Sequence, residues 1–92
     1  MSFTKESAVE RAKQDLSQRL GVAEDEIGSS VSEADFPDMS LGAPVEGEMS
    51  AQMISSGWRI DLDANRTNYE YRADKYQLRL RDFNGTNYII ES

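Results

Sequence analysis

Between residues 58 and 63 apolar and charged side chains alternate without a slip: Trp58, Ile60 and Leu62 against Arg59, Asp61 and Asp63. A period of two sends successive side chains to opposite faces, so this stretch is a strand with one buried face and one wet face. The same alternation returns at Tyr69-Glu70-Tyr71 and at Leu78-Arg79-Leu80-Arg81. Ala64-Asn65-Arg66 turns the chain between the first two runs. Asn84-Gly85, the preferred dipeptide of a type I′ hairpin, leads into Thr86–Glu91 with Tyr88, Ile89 and Ile90. A half-buried meander of this kind needs a cover for its apolar face.

The cover is upstream. Val9, Ala12, Leu16 and Leu20 recur at helical spacing and form one apolar stripe over about residues 5–20. Thr4 is the N-cap, Phe3 can staple onto Ala8, and Gly21 supplies a left-handed C-terminal residue with Val22 folding back on Leu16. A first strand is expected at roughly Ile27 to Phe36. Ile27 and Val31 share one parity there and Ala34 and Phe36 the other, which a bulge near Ser32–Glu33 would reconcile. The expected fold is therefore α+β: one N-terminal helix packed on an antiparallel meander of four or five strands, spanning about 54–91, within a single domain of residues 1–92.

Residues 37–51 hold both prolines, two glycines and almost no period. A connection of that length inside a small domain is unusual and is often functional. Leu41, Val45 and Met49 place apolar groups on it, and Phe36-Pro37-Asp38 reads as a turn start. Two readings stand: the segment folds back over one end of the core, or it presents Phe36, Asp38, Leu41 and Val45 to a protein partner. On the second, Leu41→Asp abolishes capture without unfolding the chain.

Composition removes much else. The chain has no His and no Cys, which excludes disulfides, thiolate or imidazole catalysis, Cys/His zinc sites and a Ser-His-Asp triad. Ser40 and Ser55 lack an activating base, and Gly42 and Gly47 are followed by no phosphate-binding Lys. No pair of carboxylates is singled out by apolar surroundings, so the chain is read as no enzyme, with no cofactor. Asp61, Asp63 and Asn65 match the first three oxygen positions of a calcium loop, but Arg66 stands where Gly belongs and Arg72 where the closing Glu belongs. A calcium-stabilised domain is kept as an alternative on those three residues.

Residues 1–50 carry 11 acids and 4 bases, residues 51–92 six of each, and the net charge is −7. That balance speaks against nucleic acid and anionic membranes as partners. Arg59, Arg72, Arg79 and Arg81, interleaved with Tyr69, Tyr71 and Tyr76, read more simply as cross-strand ion pairs on a solvated face. Met1 runs almost directly into the helix with no apolar leader, so the chain as it stands is expected to be cytoplasmic, or extracellular or periplasmic if a signal peptide was removed. A monomer is expected, with an edge-strand homodimer through Tyr88-Ile89-Ile90 left open.

Leu16–Ile27, Phe36–Pro44, Gly57–Leu62 and Tyr69–Asp74 resemble, in order, a group of small uncharacterised bacterial domains, many of them secreted or lipoproteins. Their loop typically reads aromatic-Pro-Asp-x-Ser-Leu-Gly-Cys-Pro; here Ala43 stands in place of the Cys. The arrangement is also loosely similar to PepSY-like domains. That similarity implies a protein-binding or peptidase-inhibiting role, and it transfers no catalytic residue.

Overall fold

The computed structural model describes residues 2–92. Helix α1 runs Lys5–Leu20 and a 3-10 turn spans Glu24–Glu26. Five strands follow: β1 (Gly28–Phe36), β2 (Ser55–Ala64), β3 (Thr67–Ala73), β4 (Leu78–Phe83) and β5 (Thr86–Glu91). They form one antiparallel sheet in the order β1-β2-β3-β4-β5. Among the described residues no helix is long and apolar enough to cross a membrane.

Helix α1 starts where its sequence permits a reciprocal cap. The Ser7 N–H donates to Thr4 Oγ1 (3.1 Å) and the Thr4 N–H donates to Ser7 Oγ (2.9 Å), satisfying two backbone donors that a helix start otherwise leaves unpaired. It ends at Gly21, whose φ of 70° lets its N–H reach the Ser17 carbonyl at 2.8 Å. Ala8, Ala12 and Leu16 are its fully buried positions, with Val9 and Leu20 at the margins. The two alanines let the helix lie close on the sheet.

Beneath it Ile27, Ile60, Leu62, Ala64, Tyr71, Ala73, Leu78 and Leu80 complete the core. The Tyr71 ring is buried there, and its hydroxyl donates to Asp15 on the helix rim at 2.7 Å. Burial and that carboxylate raise the hydroxyl well above its ordinary titration range. Arg19 bonds the same carboxylate at 2.7 Å and lies over the Phe83 and Tyr88 rings at 5.4 and 4.6 Å.

The expected bulge at Ser32–Glu33 is absent: β1 pairs with β2 without interruption from Gly28↔Asp63 to Phe36↔Ser55. The mixed parity has another cause, because both faces of the sheet are covered. Val31 pairs with Ile60 on the helix face, while Phe36 pairs with Ser55 on the opposite face, where the chain between β1 and β2 lies. That connection runs to residue 54, three residues beyond the expected end.

Gly57 marks a second close approach. A Cβ at that position would lie 2.0 Å from the Ala73 carbonyl oxygen, so only Gly lets β2 pass there. Ser55 Oγ donates to Asp74 at 2.7 Å beside it. The buried Asp74 also accepts the Tyr76 and Gln77 N–H groups at 2.7 and 2.9 Å, which shapes the β3–β4 turn.

Candidate functional site

The 37–54 connection is built from its first residues outward. Pro37 fixes the exit from β1, and the Asp38 carboxylate then folds the chain back on itself. It accepts the Ser40 N–H (2.9 Å), the Ser40 hydroxyl (2.5 Å) and the Gly42 N–H (3.5 Å). The Ser40 hydroxyl first, then the two amides, hold Asp38 below the usual carboxylate range. Leu41 and Gly42 are both left-handed, with φ of 60° and 68°. For a leucine that is strained, and burial of its side chain holds it there.

The sheet grips this turn through side chains on the face away from α1. Arg72 Nη1 donates to the Leu41 carbonyl at 2.9 Å and Gln77 Nε2 to the Met39 carbonyl at 2.6 Å. Arg79 Nη1 donates to the Ala43 carbonyl at 3.1 Å and Asn87 Nδ2 to the Pro44 carbonyl at 2.8 Å. Four successive stretches of loop backbone are thus held by donors from β3, the β3–β4 turn, β4 and β5. Gly42 is required for the grip, since a Cβ there would lie 2.4 Å from Arg72 Nη1.

Arg79 is only 4% exposed, and a buried guanidinium must be paired. Glu48 reaches back from the loop with both oxygens onto Arg79 Nη1 and Nη2, a fork that matches guanidinium geometry. That pairing holds the Glu48 carboxyl below its ordinary range. Phe36 closes the same layer, with the Arg72 guanidinium 5.4 Å from its ring centre. The arginines therefore do not form one solvated face as expected. Arg59 and Arg81 remain open, with acids at 3.7 Å, whereas Arg72 and Arg79 lie under the loop. Arg72 is paired there with Glu70 at 2.7 Å and donates to the Leu41 carbonyl, while Arg79 is satisfied by Gln77 Oε1, the Ala43 carbonyl and Glu48.

Of the four residues expected to meet a partner, Phe36 and Leu41 are buried, Asp38 is engaged in its turn and Val45 is half-buried. The fold-back reading describes this limb, and Leu41→Asp is expected to cost stability outright. What the connection exposes lies further along: Met49, Met53 and Ile54, at 97%, 64% and 75%. Sequence reasoning placed Met49 on the excursion and passed over Met53 and Ile54. Their signal was an adjacent apolar pair ahead of β2, where neither parity of that strand can bury both. The limb is tied in its middle by the Met39 N–H to the Ala51 carbonyl (3.0 Å), and just beyond its end Ser55 is bonded to Asp74.

The calcium candidates are employed separately. Asp61 faces Arg59, Asp63 accepts Asn68 Nδ2 at 3.1 Å, and Asn65 sits in the β2–β3 turn with φ 51°. Among the described residues no three carboxylates gather into a metal-holding group.

A family model described as a domain of unknown function (DUF8738) matches residues 9–81, from the second turn of α1 into β4. No curated protein and no solved structure matches the chain.

Proposed function

Because the chain belongs to the family described as a domain of unknown function (DUF8738), we propose its role from its geometry: a non-catalytic protein-binding module whose contact surface is the Met49–Ile54 limb. The observation that carries this reading is the exposure of Met49, Met53 and Ile54 beside a loop that buries Leu41 and Ala43 and half-buries Met39 and Val45. Large apolar side chains clustered on an exposed segment mark interaction sites, and Met adapts readily to partner surfaces.

The test is a triple variant, Met49→Ser/Met53→Ser/Ile54→Ser. Since these side chains bury little, stability is expected to change by no more than about 0.5 kcal/mol, while partners captured by the unaltered chain are lost. Capture of the same partners by the variant overturns the reading.

A narrower version makes the limb a peptidase-inhibiting segment, as the similarity to PepSY-like domains implies. In its favour, the flanking residues Glu48 and Ser55 are bonded to Arg79 and Asp74, so a cleft could receive the limb with little ordering cost. A panel of peptidases assayed with excess protein tests it, and full activity throughout excludes it.

A further inference from the structure

The outer edge of β1 is open in a way the other edge of the sheet is not. β1 is the terminal strand, and its nine residues run against β2 in unbroken register. Among the described residues no backbone hydrogen bond joins it to anything but β2, so every second N–H and C=O points outward without a protein partner. It carries no Pro, Lys or bulge, and of the usual devices that blunt an edge it has only the charges of Glu33 and Asp35. At the opposite edge β5 has six residues and its pairing slips twice.

The space beside β1 is shaped to receive a strand. A hollow of about 390 Å³ lies between α1 and β1, with Val9 and Val31 as its apolar part and Lys5, Glu6, Glu10 and Lys13 around it. A second hollow, of about 690 Å³, continues past Glu33, Ala34 and Asp35 toward Phe3 and Trp58, with Lys5 and Lys75 also lining it. Val31 is opposite Ile60, so Val31, Glu33 and Asp35 share the helix face of the sheet. A strand added at this edge would direct alternate side chains onto those three. Glu33 and Asp35 form no ion pair among the described residues, and Glu24, Asp25 and Glu26 precede the strand.

We propose that the free edge of β1 accepts an extended basic segment of a partner protein as a sixth strand. An apolar side chain of that segment packs over Val9 and Val31, and Lys or Arg two and four residues away stand opposite Glu33 and Asp35. Main-chain bonds supply affinity and the alternating side chains supply selectivity, as in other strand-addition interfaces. A second copy is a poor occupant: it would lay one acidic edge on another, between molecules of net charge −7 each. This surface is separate from the Met49–Ile54 limb, and its test does not depend on that one.

The probe is the capped peptide Lys-Thr-Lys-Thr-Val-Thr-Thr, titrated into the isotope-labelled full chain while amide shifts are followed. Saturable shifts confined to β1 and the Val9 side of α1 are expected, with no response to the peptide bearing Glu for Lys. Glu33→Lys/Asp35→Lys should weaken the Lys peptide by about tenfold or more, roughly 1.4 kcal/mol per decade, and admit the Glu peptide. These positions are exposed, and an unchanged melting temperature verifies folding. Met53→Ser/Ile54→Ser should bind the Lys peptide as the unaltered chain does. Shifts centred on β5 or on Met53 and Ile54, equal binding by the charge-reversed variant, or a dimer held through β1 in sedimentation overturns the proposal.

Discussion

At the scale of single residues, the backbone decides more than the side chains do. Arg66 sits at φ 63° in the two-residue turn between β2 and β3, where Asn84-Gly85 fills the equivalent turn between β4 and β5 with φ of 52° and 84°. A left-handed L-residue costs about 1–2 kcal/mol, partly offset by the extra freedom glycine has in the unfolded chain. Arg66→Gly is therefore expected to stabilise by about 0.5–1 kcal/mol, read as a melting temperature a few degrees higher. Gly57→Ala goes the other way. Its Cβ meets backbone rather than a movable side-chain tip, at 2.0 Å from the Ala73 oxygen, so thermal unfolding should show a loss well beyond an ordinary surface substitution. Leu41→Ala should cost about 2–5 kcal/mol, the range for a buried leucine; a loss under about 0.5 kcal/mol would return Leu41 to the surface.

At the scale of elements, α1 and the β2–β5 hairpins were legible because each signal was local. Thr4 and Gly21 bound the helix, alternation marks Trp58–Asp63, and Asn84-Gly85 sets the last turn. The 37–54 connection was not legible, because what orders it is remote in sequence. Arg72, Gln77, Arg79 and Asn87 donate to carbonyls 31 to 43 residues away. From the sequence these polar residues fit an open strand face equally well, and only the paired register shows that they converge. The latch makes two predictions. Removing one partner of a buried pair costs about 3–5 kcal/mol, so Arg79→Met should destabilise strongly. Arg79→Met/Glu48→Met should recover part of that loss in a double-mutant cycle by chemical denaturation. The second concerns acid. Asp38 and Glu48 are held below their ordinary range, so their contribution is complete above the unfolded-chain values of about 4. It is lost as pH falls through the lower folded values. Amide exchange in residues 39–48, after correction for its intrinsic pH dependence, should accelerate there before that of α1 or β2 does.

At the scale of the whole molecule, the architecture is a sheet covered on both faces, by α1 on one and by the latched loop on the other. That is why β1 mixes parities: Val31 answers to the helix side and Phe36 to the loop side. The meander and the single helix followed from periodicity, whereas the second cover did not, since the loop has no period to read. Nine of the eleven acids of residues 1–50 lie outside the sheet, in α1, the 3-10 turn and the loop, and the other two, Glu33 and Asp35, lie on β1. Millimolar calcium should leave the melting temperature unchanged, because Asp61 and Asp63 already face Arg59 and Asn68; a site filled at 100 times its dissociation constant would add about 2.7 kcal/mol. The central claim, that the loop is a fixed layer displaying the apolar side chains of its Met49–Ile54 limb, is tested most directly by backbone amide relaxation on the free chain. Residues 39–48 are predicted to show order parameters near those of the strands, about 0.85; values under about 0.6 across that stretch would contradict it.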